Sequence, residues 1–328
     1  MILVSLRPRS IHTQRLFIRL VEKVIRTLNN LSRFLGGPLI SYKVIEPLGH
    51  QFVSLARIVS KSHSDVGIVI QGPVNNLGKQ IRDTVKQYKE LWPDTHVIVS
   101  TWQSSDPEIL KNLTTLGAEV VLSDEPKLPG PSNANFQVTS TLAGIEKLWD
   151  LGVVNCLKTR VDQVLYNSRS LNLLRNILNE YEDRIVTTDF NSFLFRLYCA
   201  NDQLMFGKTS LMKEFWLASK NSDWLSDASG PIEAKLLQNF LRAKGVSKSQ
   251  DIVGSLETYR DFYYFLDYED LDLFWHKGTH RDLRARFPQM AYPSTFSFVR
   301  SYDWQILQRD LSSYVRDYEK LEEFGQIE

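Results

Sequence analysis

Between residues 66 and 163 the sequence alternates short apolar runs with segments of helical periodicity, and this order constrains the fold more than any other feature. Short apolar runs that end at Gly, Pro or Asp are typical of buried strands. The predicted strands are Val66–Val74, His96–Trp102, Ala118–Leu122 and Val154–Leu157, and the predicted helices are Lys79–Trp92, Pro107–Leu116 and Asn135–Leu151. This series predicts an α/β fold, with a mainly parallel Rossmann-type sheet, helices on both faces and a ligand crevice at the carboxyl ends of the strands.

After residue 170 the predicted elements follow with less regular spacing. Ile185–Thr188 and Leu204–Gly207 have the apolar character of strands. The predicted helices are Leu171–Tyr181, Thr209–Ala218, Ile232–Lys244 and Leu256–Leu266. Since no long linker interrupts the pattern, we expect one α/β domain with terminal extensions.

Charge is distributed unevenly along the chain. The net charge of +1 argues against nucleic-acid binding, but residues 1–62 hold ten Lys and Arg against two acidic residues. Within this part, residues 11–36 place Leu and Val at helical spacing opposite several arginines, which predicts a basic amphipathic helix. Such a helix either packs its apolar stripe on the protein's own core or lies on an anionic membrane surface, and the sequence leaves both readings open.

The cellular compartment is predicted from cysteine usage and from apolar segments. Cys156 and Cys199 match neither a disulfide framework nor a zinc-binding spacing, which favours a reducing cytoplasm. The first residues have neither the apolar length nor the charge order of a signal peptide, and no run has the length of a transmembrane helix. We therefore expect a cytoplasmic protein.

Candidate ligand-binding residues follow the first two predicted strands. Gln71, Gly72 and Pro73 end the first strand, where glycine lets the backbone approach a ligand and proline fixes the exit of the chain, although an ordinary turn has the same composition. Trp102 ends the second strand, where an indole suits a base, a sugar or the core equally. No GxGxxG or Walker sequence follows the first strand, which argues against a Rossmann dehydrogenase and a P-loop NTPase.

Two opposite charges follow the fourth predicted strand. In an extended run Arg160 and Asp162 lie on the same side, so that the carboxylate could hold Mn²⁺ or Mg²⁺ while the guanidinium faces a phosphate. A diphosphate leaving group requires this kind of charge neutralisation. The alternative is that Arg160 and Asp162 pair with each other at the end of the sheet.

Two carboxylates are candidates for a general base. Asp202 lies just before a predicted strand, where it could deprotonate an acceptor hydroxyl or bind a sugar hydroxyl. Glu233 lies near the start of a predicted helix, a position that also suits stabilisation of the helix N-terminus. Of the two, we favour Asp202 as the base.

A cationic segment lies at residues 276–281. Gly278 offers a hinge about which this segment could close over a diphosphate, with His280 as a contact. The spacing of His276 and His280 resembles a zinc helix, but Lys277 stands where the glutamate of HExxH is required, which argues against zinc.

Taken in this order, the motifs resemble the WavE-type lipopolysaccharide biosynthesis family of glycosyltransferases. The resemblance spans residues 65–245. It rests on IVIQGPV (68–74), VIVSTW (97–102), Asn133–Gln137 at the start of a helix, LKTRVDQ (157–163), and NDQLMFG (201–207) followed by Gly230–Glu233.

The resemblance implies a GT-A-like fold that transfers a sugar from a nucleotide-sugar donor to a lipopolysaccharide core or another lipid-linked bacterial surface glycan. It implies that Asp202 or Glu233 orients or deprotonates the acceptor hydroxyl and that Asp162 binds a metal. The donor contacts that it implies are Gln71, Gly72, Pro73, Trp102, Arg160 and His280. Arg160 stands at the first position of the Asp-x-Asp motif of GT-A enzymes. One carboxylate and an arginine could therefore neutralise the diphosphate with a weakly held Mn²⁺ or Mg²⁺, or with none.

Three regions are expected along the chain. Residues 1–62 are a basic extension, residues 63–250 a catalytic domain, and residues 251–328 a helical region that completes the acceptor side. The lipid-linked acceptor implied by the resemblance adds peripheral contact with the inner membrane through residues 11–36. Two other functions stay open, namely a non-catalytic nucleotide- or glycan-binding partner in a polysaccharide assembly complex and a nucleotidyltransferase.

Overall fold

Seven strands form the central sheet of the computed structural model, which describes residues 23–24, 27–28, 62–220, 231–275 and 297–323. The strands are β1 (Val66–Gln71), β2 (His96–Trp102), β3 (Glu119–Ser123), β4 (Asn155–Arg160), β6 (Ile185–Thr188), β7 (Met205–Lys208) and β8 (Tyr263–Leu266). Their order in the sheet is β3-β2-β1-β4-β7-β6-β8. A separate two-stranded antiparallel sheet joins β5 (Gln163–Leu165) to β9 (Leu273–Trp275).

The direction of the strands confirms the predicted, mainly parallel α/β sheet. β1 runs parallel to β2 and β4, β2 parallel to β3, and β6 parallel to β8. Only β7 is reversed, because it pairs antiparallel with both β4 and β6. The residues that precede β7 therefore reach the same edge of the sheet as the residues that follow β4.

Helices cover both faces of the sheet, as predicted. In the described residues they are α1 (Gly78–Leu91), α2 (Pro107–Thr115), α3 (Ala134–Asp150), α4 (Ser170–Glu180), α5 (Thr209–Leu217), α6 (Ile232–Ala243), α7 (Ile252–Phe262), α8 (Ser301–Leu307) and α9 (Ser312–Glu323). α1, α2 and α4 share one buried apolar cluster with β1, and α3 and the helices from α5 onward share the other. The helical C-terminal part is confirmed by α7, α8 and α9.

Two glycines let α3 lie directly on the sheet. A Cβ atom on Gly67 would lie 2.3 Å from the Leu148 side chain, and one on Gly144 would lie 2.5 Å from that of Val69. Neither distance is compatible with a real side chain, so the close packing of α3 on β1 requires glycine at both positions. This packing brings the N-terminal turns of α3 to the carboxyl edge of the sheet.

The predicted bounds of the first four strands and first three helices agree with the structure to within a few residues. The helix predicted at Leu256–Leu266 is partly wrong, because α7 ends at Phe262 and the chain continues as β8. Tyr263 and Phe265 are buried there, and pairing with β6 overrides the helical spacing of the sequence. β5, β9, α8 and α9 are elements that the sequence pattern did not indicate.

The N-terminal helix falls mostly outside the described residues. Residues 23–24 and 27–28 are helical, and Val24 and Leu28 are 51% and 44% exposed. The boundaries at residues 62 and 250 stay a prediction, although residues after 251 supply β8 and β9 to the two sheets. Among the helices that the structure describes, none combines the length and the apolar character that crossing a bilayer requires.

Candidate active site

The backbone at the ends of β1 and β4 forms the floor of the candidate site. Gln71 and Arg160 are neighbours in the register of the two strands, and the Val161 N–H donates to the Gln71 carbonyl oxygen over 3.0 Å. Gly72 then turns the chain with φ +128°, where a Cβ atom would also lie 3.0 Å from Val161 Cγ2. Only glycine is suited to this turn, which keeps the surface above the strand ends open.

The other predicted residues of this edge differ in exposure. Gln71 is buried, and its Oε1 accepts a hydrogen bond from Ser140 Oγ on α3 over 3.0 Å. Trp102 is 6% exposed and packs edge to face on Phe136, with 5.4 Å between ring centroids. Pro73 is exposed. Gln71 and Trp102 thus join β1 and β2 to α3, and Pro73 faces solvent beside them.

Arg160 and Asp162 form a bidentate ion pair. Arg160 Nε and Nη2 donate to Asp162 Oδ1 and Oδ2 over 2.9 and 3.2 Å, and Trp275 Nε1 donates to Oδ2 over 3.2 Å. β4 ends at Arg160, and the chain bends before β5, which lets the Asp162 carboxylate fold back on the guanidinium. The sequence left open whether these two residues face a metal and a phosphate or pair with each other, and in the structure they pair with each other.

These hydrogen bonds affect whether Asp162 can bind the expected Mn²⁺ or Mg²⁺. Both Asp162 oxygens already accept N–H donors, one of them cationic, whereas a divalent cation takes six or more oxygen ligands. Within the described ranges no group of three or more His, Cys, Asp and Glu residues has the geometry of a metal site. The residues present therefore do not fit a cation held by the protein alone, and the cation fixed at this edge is the Arg160 guanidinium.

Asp202 lies in a turn that side chains hold from several directions. Its Oδ2 accepts a hydrogen bond from Gln137 Nε2 of α3, and its side chain is almost fully buried. Asn201 braces the turn, because its Nδ2 donates to Thr188 Oγ1 over 2.8 Å and its Oδ1 accepts from the Gln203 N–H over 2.8 Å. The turn is therefore rigidly attached to α3 and to the end of β6.

Lys158 lies directly beneath this turn. It is fully buried in the middle of β4, and its Nζ donates to the backbone carbonyl oxygen of Asp202 over 2.6 Å. The same ammonium lies 4.9 Å from the centre of the Trp216 ring. Burial lowers the pKa of Lys158 to about 7, although the nearby Asp202 charge favours the protonated form.

Glu233 lies in the first turn of α6 and interacts with Asp202. Burial and, next, the negative charge of Asp202 raise the pKa of Glu233 to about 7, against the opposing charges of Arg196 and Arg160. Two carboxylates that are 31 residues apart in sequence thus interact electrostatically in the fold. Glu233 is partly exposed whereas Asp202 is buried, so Glu233 is the more accessible of the two.

Four residues of this arrangement were not among the sequence-based candidates. They are Gln137, Lys158, Arg196 and Trp275. A charged residue in the middle of an apolar strand was a usable signal for Lys158, and Gln137 belonged to the Asn133–Gln137 motif without an assigned role, but nothing local marked Arg196 and Trp275. His280 and the rest of residues 276–281 lie outside the described residues.

A cavity of about 520 Å³ lies beside α3, on the face away from Asp202. Its lining includes Asn135, Thr139 and Glu146 of α3, together with Lys127 and Lys220. None of the carboxylates or arginines described above lines it. Gln137 lies on the same helix, two residues after Asn135, so α3 separates the cavity from the candidate site.

Comparison with known proteins gives structural likeness only. No protein-family model and no curated protein matches the sequence. A cytidylyltransferase from Leptospira borgpetersenii is 14% identical, with a TM-score of 0.35, over 80% of this chain and 96% of its own. A mannosyltransferase from Pyrobaculum calidifontis, solved with GDP-Man and Mn²⁺, is 13% identical, with a TM-score of 0.37, over 60% of this chain and 69% of its own.

A third likeness is to glucosyl-3-phosphoglycerate synthase from Mycobacterium tuberculosis, solved with Mn²⁺, UDP and phosphoglyceric acid. It is 12% identical, with a TM-score of 0.34, over 56% of this chain and 80% of its own. By name, the first is a cytidylyltransferase, the second a mannosyltransferase and the third a synthase. At these TM-scores the likeness carries no argument about activity, which must come from the site of this chain.

Proposed function

We propose that the protein is a nucleotide-sugar-dependent glycosyltransferase of GT-A-like fold. The observation that carries this proposal is the electrostatic interaction of the partly exposed Glu233 with both Asp202 and Arg160, the latter held by Asp162 at the end of β4. A carboxyl group whose pKa is about 7 is well matched to accept a proton from a hydroxyl at neutral pH. A guanidinium at the same edge suits a diphosphate leaving group.

In this reaction the acceptor hydroxyl gives its proton to the Glu233 carboxylate. The hydroxyl oxygen forms a bond to the anomeric carbon of the donor sugar, and the bond from that carbon to the diphosphate oxygen breaks. The electron pair leaves with the diphosphate, whose charge Arg160 neutralises. The negative charge of Asp202 raises the affinity of Glu233 for the proton.

The donor is assigned to the surface above β1, β2 and β4. Gly72 gives the backbone a close approach to the nucleotide, and Gln71 and Trp102 hold that surface against α3. Pro73 lies at its exposed rim. His280 is assigned to the diphosphate by the sequence motif alone.

For the acceptor we propose a lipopolysaccharide core or another lipid-linked surface glycan, on the strength of the WavE-type motifs. Residues 11–36 would then contact the cytoplasmic face of the inner membrane. The exposure of Val24 and Leu28 on the described helical residues supports such contact. Co-sedimentation with vesicles that contain anionic phosphatidylglycerol tests it, since replacement of both residues by Ser should release the protein and unchanged sedimentation would exclude this surface.

The test of the activity is slow donor hydrolysis with a panel of nucleotide sugars. We expect one donor to be turned over, with the Glu233→Gln rate about 100-fold lower, because loss of a general base costs two to four orders of magnitude. Glu182→Gln is the matched control, since Glu182 pairs with Lys208 outside the site. Absence of both donor binding and hydrolysis across the panel would refute the proposal.

The two other functions give different results in the same assay. A binding partner without catalytic activity would bind a donor without turnover and would tolerate changes at Asp202 and Glu233. A nucleotidyltransferase would release pyrophosphate, whereas a glycosyltransferase releases a nucleoside mono- or diphosphate.

A further inference from the structure

We propose that Lys158 is a positioning residue that fixes the Asp202 turn from beneath and so sets the position of the Asp202 carboxylate, whose charge acts on Glu233. The inference rests on the proposed function for its catalytic consequence. Its structural basis is independent of that function, because it concerns contacts within this chain.

The contacts of Asp202 come from two different elements. Gln137 of α3 holds the carboxylate, and Lys158 of β4 holds the backbone carbonyl of the same residue over 2.6 Å. A residue held at both its side chain and its main chain has little freedom to move. Glu233 lies on a third element, α6, and the charge of Asp202 acts on it, so the position of Asp202 determines the strength of this electrostatic interaction.

Lys158 is an unfavourable choice for packing alone. It is fully buried, which is true of no other Lys or Arg among the residues that the structure describes. Transfer of an ammonium group from water to a protein interior costs on the order of several kcal/mol before compensation. An apolar side chain of similar length, such as Met, would fill the same space without this cost.

Nearby carboxylates partly compensate the positive charge of the buried Lys158 side chain. The negative charges of Asp202 and Asp162 favour the protonated form, while the charge of Arg160 opposes it. Cys156 is the remaining titratable neighbour. The Trp216 ring lies under the ammonium, where its face attracts the positive charge, and the same ring packs in the apolar core against Phe215.

The variants that test this role are K158M, K158Q and, as a matched control, K208M. Lys208 lies on the neighbouring strand and pairs with Glu182, away from the carboxylate pair. K158M removes the N–H donor with little change in volume, and K158Q restores a donor without the charge. Donor hydrolysis, thermal unfolding and the separate values of kcat and KM are measured for each.

We expect K158M to lose about 100-fold in kcat, with KM for the donor little changed, and to unfold at a lower temperature because the Asp202 carbonyl loses its buried donor. K158Q should recover part of both losses, and K208M should retain full activity. A purely structural lysine would lower the unfolding temperature of K158M in the same way but leave kcat and KM intact. A kcat of K158M within threefold of the unmodified protein would overturn the proposal, and if K158M does not fold, the same result for K158L, which also lacks the donor, would overturn it.

Amide hydrogen exchange separates this inference from the proposed function. If no donor is turned over by the unmodified protein, the glycosyltransferase proposal fails, but the anchoring of the turn is still measurable. We expect the amides of residues 201–203 to exchange at least tenfold faster in K158M, and those of residues 205–208 to be unchanged. Equal exchange at residues 201–203 in both proteins would show that Lys158 does not hold the turn.

Discussion

The Arg160 guanidinium donates hydrogen bonds to both carboxylate oxygens of Asp162, which also accepts one from the Trp275 indole N–H. The Asp162 carboxylate therefore orients the Arg160 guanidinium and is not available to bind a divalent cation. In this motif the single carboxylate, Asp162, thus holds the positively charged Arg160 side chain in place at the edge of the sheet.

Nucleoside diphosphate binding should consequently persist without a divalent cation. We expect calorimetric titration with UDP, GDP, CDP and ADP to give the same affinity for the preferred nucleotide in EDTA and in Mn²⁺. Arg160→Lys should lose roughly tenfold, or about 1.4 kcal/mol, because an ammonium does not reproduce the bidentate geometry. An affinity that rises tenfold or more in Mn²⁺ would contradict this account.

Trp275→Phe should weaken nucleotide binding by removing one of the donors that orient Asp162. The matched control is Trp304→Phe, because the buried Trp304 indole N–H has no acceptor in the structure. Both variants lose the same atoms, so the difference in their free energies of unfolding, measured in urea, should be about 1.5 to 3 kcal/mol, the value of a hydrogen bond to a charged group. Equal effects on stability and on nucleotide affinity would exclude this role for Trp275.

The pH dependence of stability should contain a contribution from Glu233. The folded protein holds the Glu233 proton up to a pKa of about 7, against 4.5 for an ordinary Glu, so this contribution is fully present below pH 4.5 and is lost as the pH rises through 7. Glu233→Gln should flatten the fall in unfolding free energy across this window and raise stability at pH 8 by about 2 kcal/mol. A Gln variant with an unchanged pH profile would show that Glu233 is not buried against Asp202.

Gly72→Ala should destabilise the protein more than Gly152→Ala. Both glycines have positive φ, but a Cβ atom on Gly72 would contact Val161 at 3.0 Å, whereas one on Gly152 would contact nothing within 4 Å. We expect a loss of about 1 kcal/mol for Gly152→Ala and about 2 to 3 kcal/mol for Gly72→Ala. If urea unfolding gave similar losses of unfolding free energy for the two variants, the Val161 side chain would be able to move away from the new Cβ atom without loss of stability.

The parallel half of the sheet could be predicted from the sequence because each strand there is a continuous apolar run with a clear end. Val66–Gln71 and His96–Trp102 are buried along nearly their whole length, so their pattern is visible without the fold. β5 and β9 are only three residues each and are defined by pairing with each other across more than 100 residues. No local pattern contains that information.

The candidate site was predictable in part for the same reason. Arg160 follows an apolar run, and the carboxyl edge of a parallel sheet gathers such residues, whereas Asp202 precedes β7 and reaches the same edge because β7 is antiparallel. The accessibility of Glu233 and the roles of Lys158 and Trp275 depend on which elements pack together, and the antiparallel insertion of β7 decides that. The preference for Asp202 over Glu233 reverses in our proposal because burial, which the sequence does not give, leaves Glu233 the more exposed carboxylate.

The most direct test of the central claim is ³¹P NMR of the products formed from the preferred nucleotide sugar. We predict release of a nucleoside mono- or diphosphate at a rate that rises with pH to a plateau with an apparent pKa near 7, the value for Glu233, and that Glu233→Gln abolishes this dependence. Release of pyrophosphate, or a rate and pH profile that Glu233→Gln leaves unchanged, would contradict it.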